Sequence, residues 1–306
     1  MQEFQLIKKF FKPLTKNQKA ARGLVDDVAQ ISDLVISKDM FVEDVHFLRA
    51  DGGFKIASKL LRTNLSDLAA SGATPLCYML GFSKNKNTDE KFLRDFARGL
   101  KSVQDEFDLY LIGGDTVSSE KLFFSVTIFG KTKNGKILAR NAAKDKDLIY
   151  VSGSIGDAFL GRVSKASKYF INRHFFPTPR IELGKKLLEK NLAKCAIDVS
   201  DGLLADLQHL CEASQLKAEI HLEKIPIAKN IFSKLTKNPL ELLSAGDDYE
   251  LIFSVNPKNQ KKISILAKQM KLDLTCIGKF TAAKKCKVTL FDSGKKIKLT
   301  KLGYEH

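Results

Sequence analysis

The chain has no tryptophan, four methionines and five cysteines among its 306 residues. The cysteines (Cys77, Cys195, Cys211, Cys276 and Cys286) are odd in number and contain no C-x-x-C pair. That argues against a disulfide framework and a thiolate zinc site, and leaves isolated thiols serving as small apolar side chains. No apolar run approaches the ~20 residues of a membrane span. The stretch MQEFQLIKKFFKPL is amphipathic and lysine-bearing, without the apolar core and small-residue cleavage site of a signal peptide. A cytoplasmic location with no membrane partner is therefore expected.

Arginine is scarce as well, at nine of the 51 basic residues. A formal charge of +16 raises the question of nucleic acid, because basic clusters release counterions from a phosphate backbone. Here the lysines are scattered, and lysine lacks the planar fork that suits bidentate phosphate or base contacts. No nucleic-acid-binding signature appears. The expectation is a lysine-rich solvated surface and no nucleic-acid partner.

What is present is a globular composition, 44% apolar and 28% charged. The length suggests two domains of about 150 residues each. In the first half, residues 33 to 48 read as β-rich. Residues 53 to 72 space Ile56, Leu60, Leu61, Leu65 and Leu68 at helical intervals, CYMLGFS reads as a strand, and 88 to 108 as an amphipathic helix. LYLIGGDTV reads as a strand running into a glycine turn, LFFSVTIFG as a buried strand, and Asn134-Gly135 as a hairpin-type turn. DLIYVSGSIGDAFLG and CAIDVSDGLLADLQHLCEAS each read as strand, glycine turn and helix; strands AEIHLEKI, YELIFSV and LTCIGKF and a closing hairpin through Asp292-Ser293-Gly294 follow. The boundary falls in ILARNAAKDKD, giving domains 1–140 and 141–306, both of mixed α/β (α+β) character.

The acids are placed unusually. Asp26-Asp27, Asp39, Asp115 after two glycines, Asp198, Asp201 and Asp247-Asp248 mostly end apolar strands or sit in glycine turns, and Asp67 follows Asn64 by one helical turn. Ligands gather at strand ends in α/β folds. Oxygen donors without His or Cys partners suit Mg²⁺, which binds a few carboxylates together with substrate phosphates. Any one of these aspartates alone reads as an ordinary turn or helix-cap residue. Collectively they favour a metal-held polyphosphate. In AIDVSDGLLADL, Asp201 could cap the helix or bind the metal, while Asp206 falls at the solvent flank of the leucine face. SGSIGDAFLG lacks the Walker lysine and G-x-G-x-x-G spacing; its amides could cradle phosphate, or the glycines could simply pack tightly. No nucleophilic constellation stands out. His209 and His221 read as structural, and His46, after FVEDV, as a substrate contact.

In order, DDVA, ISKD, VHF, NLSDLAASGATP, LIGGDT, PTPRIELG, AIDVSDGLLADL, DDYEL and CIGKF resemble the thiamine-monophosphate kinase family, within the aminoimidazole-ribotide synthetase-like ATP-binding superfamily. The resemblance runs nearly end to end. It implies transfer of the γ-phosphoryl group of ATP to thiamine monophosphate, giving thiamine diphosphate. It also implies a two-domain fold whose N-terminal domain builds a shared barrel in a homodimer, with a C-terminal α/β domain. By motif, Asp27, Ser37, Asp39, Asp67, Asp115, Asp198 and Asp201 match magnesium ligands for several Mg²⁺ ions. Gly114, Asp115, Arg140 and Ser200 match ATP contacts, and His46 a substrate contact. Three positions depart from the family. Asp247 replaces the usual Glu at a substrate-contact position. Lys38 stands where Thr is common beside Asp39, leaving its backbone carbonyl as the ligand. Lys301 stands where an aromatic residue often faces the substrate rings, with Tyr304 a nearby substitute. A sister enzyme of the superfamily acting on another acceptor is the alternative; the absence of cysteine from the first 76 residues and the ending YEH count against its selenide and hydrogenase-maturation branches.

Overall fold

A computed structural model of the chain describes residues 3–164, 167–228 and 239–304. In the first half, β1 (Ala29–Ile31), β2 (Leu34–Val42), β3 (Thr74–Lys84), β4 (Tyr110–Ser118) and β5 (Phe123–Lys131) form a five-stranded sheet in the order β1-β2-β5-β3-β4. Only the β3–β4 pair is parallel. The second sheet has seven strands: β6 (Leu148–Ser152), β7 (Ala193–Asp198), β8 (Lys217–His221), β9 (Leu251–Val255), β10 (Leu274–Thr281), β11 (Val288–Asp292) and β12 (Lys295–Ile297). Its order is β12-β11-β8-β10-β6-β9-β7.

Among the described residues the α-helices are α1 (Glu3–Leu6), α2 (Gly53–Ser71), α3 (Glu90–Phe107), α4 (Asp157–Ser164), α5 (Lys168–Phe175), α6 (Ile181–Glu189), α7 (Leu203–Ser214), α8 (Pro239–Leu243) and α9 (Gln260–Met270). None is long and apolar enough to cross a membrane. Helix α2 organises the rest. Its leucine stripe predicts one buried face, yet every residue except Phe54 and Lys55 is buried. One side covers the five-stranded sheet and the other meets α6 and β7. A helix enclosed on all sides cannot leave its polar residues in water, and Lys59, Arg62, Asn64 and Asp67 are all buried with it. One core therefore joins Leu61, Leu65 and Phe124 to Leu183, Leu187 and Phe253. A second lies beneath α7, around Ile197, Leu203, Leu207 and Phe280.

Two sequence expectations change. Gly113-Gly114-Asp115 is no turn: β4 continues through it to Ser118, paired with β3. Gly114 is needed there because a Cβ would lie 1.9 Å from the Leu80 carbonyl oxygen. Asn134-Gly135 closes no hairpin; it belongs to a single 3₁₀ turn (Lys133–Gly135) after β5. The five-stranded sheet is open in one chain, and all nine residues of its edge strand β4 are exposed.

Helix α3 crosses α2 where both have glycine. A Cβ on Gly99 would lie 2.4 Å from the Phe54 carbonyl oxygen and 2.9 Å from the Ala57 Cβ. Gly99→Ala is expected to force the helices apart at a cost of about 1–3 kcal/mol, lowering the melting temperature by several degrees. An unchanged melting curve would show that the crossing tolerates a methyl group.

Candidate functional site

The middle of β2, the end of β7 and the last turns of α2 converge on a group of carboxylates. Asp198 is the last residue of β7 and 1% exposed. Both of its carboxyl oxygens are buried without a hydrogen-bond partner. Left in that state, a carboxylate carries its full desolvation penalty. Oxygens of Asp27, Asp67 and Asp198 lie within 4.8 Å of one another. Ser37 Oγ is 2.5 Å from Asp67 Oδ2 and 3.0 Å from the Asp27 carbonyl oxygen, so its one proton serves either. Asp39 follows two residues on, on the same face of β2, and its backbone N–H donates to Asn64 Oδ1 at 3.2 Å.

The carboxylates resist ionising together. Burial, then Asp39 and Asp198, push Asp67 well above the usual carboxylate range, with the Ser37 hydroxyl opposing. Asp39 is pushed up to about 7 by desolvation in the cleft, then by Asp198 and Asp201. Burial also raises Asp198, opposed by the neighbouring Ser66 hydroxyl and then by Arg140. Arg140 is the cation at the rim: its Nε donates to Asp27 Oδ2 at 2.9 Å and its terminal nitrogen pairs with Asp27 Oδ1. Its backbone N–H donates to Asp26 Oδ1. An oxygen-only donor set, crowded, acidic and with two orphaned oxygens, fits a hard divalent cation such as Mg²⁺.

The other expected site residues are distributed as follows. Lys38 points away from Ser37 and Asp39 by strand alternation, and its Nζ is 2.5 Å from Ser125 Oγ. Asp39, Val126, Leu80 and Gly114 stand in one row across β2, β5, β3 and β4. Three strand spacings, about 14 Å, therefore separate Gly114 and Asp115 from Asp39 within one chain. Asp115 Oδ1 accepts the N–H of Thr116. His46 Nδ1 accepts the Val42 N–H at 3.0 Å and its ring stacks on Phe41; the proton of a neutral ring is thereby placed on Nε2. Asp247, with φ +76°, is bound by the buried Lys59 at 2.9 Å and by the Tyr249 hydroxyl at 3.3 Å, with His174 Nδ1 at 3.6 Å. Burial raises Asp247, but Lys59 and His174 hold it below the usual range. Lys301 is exposed, and its carbonyl accepts the Ser244 hydroxyl. Beyond it, the Tyr304 N–H donates to the Asp201 carbonyl, so the tail lies on the Asp201 turn.

Asp206 overturns its expected place at a solvent flank. It is 1% exposed, and its Oδ2 accepts the backbone N–H groups of Ser200, Asp201 and Gly202 at 3.0, 3.1 and 3.2 Å. The acid that ties down the start of α7 is thus Asp206 and not Asp201. The residue preceding α7 is Gly202, at φ +121°, where no side-chain cap forms. The physical reason is that the 198–202 turn and the C-terminal tail cover the first turn of α7, and a Cβ on Gly303 would touch Ala205. The SGSIGD turn resolves toward packing: Asp248 takes the N–H groups of Gly156 and Ala158, and a Cβ on Gly156 would lie 2.7 Å from Leu242. Lys59, Asp206 and Tyr249 were missed by sequence reasoning. The available signal for Lys59 was a lysine inside an otherwise apolar helix.

Comparisons with known proteins agree with one another. The chain matches AIR synthase related protein, N-terminal domain, over residues 21–132, and AIR synthase related protein, C-terminal domain, over residues 144–291. The thiamine-monophosphate kinase of Buchnera aphidicola subsp. Schizaphis graminum is 37% identical over 322 aligned positions, covering 99% of this chain and 98% of its own. That of Escherichia coli K12 is 35% identical, with 99% and 98% covered. Among solved structures, AaThiL complexed with AMPPCP and TMP superposes with a TM-score of 0.85 at 29% identity, covering 100% of this chain and 97% of its own.

Two outcomes follow for folding and metal binding. Asp198→Asn removes one like charge from the cluster, so the metal-free variant is expected to melt at or above the parent. Its stabilisation by millimolar Mg²⁺ should shrink to near zero; an undiminished magnesium effect would remove Asp198 from the metal site. Asp206→Ala leaves three N–H groups without their acceptor, at about 1–3 kcal/mol, and is expected to melt several degrees lower. Asp201→Asn should melt like the parent. The reverse order in melting curves would return the capping role to Asp201.

Proposed function

Since this chain belongs to the thiamine-monophosphate kinases among the AIR synthase related proteins, we propose that its carboxylate cluster is where ATP and the acceptor phosphate meet. The protein is an ATP-dependent kinase of thiamine monophosphate. The observation that supports the site is Asp198, with both oxygens orphaned beside Asp27 and Asp67. Asp27, Asp39, Asp67, Asp198 and Asp201 would hold Mg²⁺, with Ser37 and the Lys38 carbonyl at the edge of the set. Mg²⁺ bound there would neutralise charge on the polyphosphate and the transferred group.

The chain's own residues then orient and exclude. The acceptor phosphate is already an anion, so no protein base is needed to create the nucleophile. Its oxygen attacks the γ-phosphorus in line, the bond from that phosphorus to the β,γ-bridging oxygen breaks, and ADP leaves, without a phosphoenzyme. Arg140, aimed by its two-point contact with Asp27, and the Ser200 turn, held by Asp206, would contact ATP. His46 would offer Nε2–H to thiamine monophosphate. Asp247, fixed by Lys59 and Tyr249, and Lys301 would complete the substrate site.

We assign residues 1–140 to ATP and metal binding and to dimerisation, and 141–306 to the C-terminal α/β domain, in a cytoplasmic homodimer. What supports the dimer is β4, an exposed edge bearing Tyr110, Leu111, Ile112 and Val117, since such an edge invites pairing. A second copy on that edge would also bring Gly114 and Asp115 to a place where they can serve ATP.

Incubation of the purified protein with ATP, Mg²⁺ and thiamine monophosphate should yield thiamine diphosphate by chromatography; no product above a boiled control sinks the assignment. Asp201→Asn is expected to lose at least a hundredfold in kcat/KM, about 2.7 kcal/mol of transition-state stabilisation. Parent-like activity in that variant would exclude Asp201 from the site. His46→Ala should raise the KM for thiamine monophosphate with the KM for ATP unchanged, and Lys301→Trp should lower the acceptor KM. Unchanged acceptor KM in both variants would remove these residues from the substrate site. The buried or half-buried cysteines predict resistance to thiol reagents, and rapid inactivation with an unchanged circular dichroism spectrum would contradict it.

A further inference from the structure

A cavity of about 900 Å³ lies between elements of the two sheets. That is within the range of small-molecule sites. Lys131, Lys133, Lys136, Lys185 and Lys194 line it, and Glu189 is the one acidic residue among the described residues of its wall. Lys185 pairs with Glu182 at 2.9 Å, outside the wall. Among the described residues, no carboxylate lies within ion-pair distance of Lys131, Lys133, Lys136 or Lys194. Thr132 also lines the cavity; it is 6% exposed, and its Oγ1 has no hydrogen-bond partner.

The charge balance favours an anion even after the opposing terms are counted. With Lys185 offset by Glu182, the remaining lysines and Glu189 leave a formal +3. The C-terminal ends of α2, at Gly72, and of α6, at Leu188 and Glu189, also face the cavity. Each contributes about −0.5 charge, so about +2 remains. Concave walls of one sign concentrate the field on whatever enters. A compact group with several oxygens would meet the ammonium groups.

None of the clustered carboxylates lines this cavity, whose wall comes nearest to them at Ala139, the residue before Arg140. Strand β7 begins at the cavity with Ala193 and Lys194 and ends at Asp198, about 13 Å further on. Lys131 pairs with Leu34, five residues before Asp39 on β2, about 17 Å along the strand. We propose that the cavity binds a small polyanion carrying at least two phosphate groups, at a site distinct from the kinase centre.

Inorganic tripolyphosphate is the probe, titrated calorimetrically at low ionic strength in EDTA. Without a divalent cation the carboxylate cluster repels the probe, so saturable heat reports the basic cavity alone. One molecule per chain is expected. The triple variant Lys131→Gln, Lys133→Gln, Lys136→Gln should bind at least tenfold more weakly while keeping parent kcat and KM. A control with the same charge change on exposed lysines, Lys295→Gln, Lys296→Gln, Lys298→Gln, should bind like the parent. Absence of saturable heat, or equal losses in the two triple variants, overturns the proposal. Binding of a single-stranded oligonucleotide that tripolyphosphate fails to displace would overturn it too, by assigning the lysines to nucleic acid.

Discussion

Mutual repulsion among carboxylates is the constraint around which this fold is arranged. Asp27, Asp67 and Asp198 bring oxygens within 4.8 Å of one another; at an effective dielectric constant near 20, each fully ionised pair costs about 3.5 kcal/mol at that distance. A flexible loop would relax by spreading them. Here Asp67 and Asp198 are carried by elements that cannot move independently, and Asp27, in the bend before β1, is held by Arg140. Asp67 is on a helix enclosed by both halves of the protein, Asp198 ends a strand hydrogen-bonded to β9, and Ser37 and Asp39 are on a strand paired along its whole length with β5. The burial of α2 is what makes the crowding sustainable, and in the proposed function a bound cation would relieve the repulsion that remains.

The same rigidity explains why buried polar groups recur around the site. Lys59 and Asn64 are on α2, the helix that carries Asp67, and each fixes a part of the neighbouring wall: Lys59 holds Asp247, and Asn64 holds the backbone of Asp39. Asp206 does the same for the Ser200–Gly202 turn. None of these three need touch a phosphate to matter. A buried polar group whose partners are all met orders its surroundings more strictly than an apolar one can, because misplacement leaves donors or acceptors empty.

The clustering carboxylates of the candidate site were legible because their signals are local. An aspartate at the end of an apolar strand, or beside Asn64 on a helix, announces itself within a few residues. The element types read correctly for the same reason, from periodicity at α2, α3, β5 and β9. What could not be read was enclosure. The helical wheel assigned Asp206 to solvent because it assumes that the face opposite the leucines is wet, whereas the 198–202 turn and the tail cover it. The same assumption hid Lys59. GGD read as a turn because glycine's usual meaning is a bend, whereas at Gly114 it is the lack of a side chain against Leu80 that matters. Distance was illegible as well: nothing near Asp115 in the sequence says that three strands separate it from Asp39.

The formal charge of +16 now has a spatial meaning that composition alone lacked. The acids are the minority class, yet six of them (Asp26, Asp27, Asp39, Asp67, Asp198 and Asp201) are drawn together around the middle of β2, the end of β7 and the last turns of α2, while lysines collect where β5 ends and β7 begins. Two polyanions and an acidic cluster would repel one another unless cations intervened. The protein could have lined its centre with lysine and arginine, the general solution to phosphate binding. It places two arginines there, each already tied to an acid, Arg140 to Asp27 and Arg22 to Asp26, and carboxylates outnumber them. Under the proposed function that choice would make a divalent cation obligatory, and apart from the buried Lys59 it leaves lysine, with its point charge and free rotation, to surfaces where tight geometry is not required.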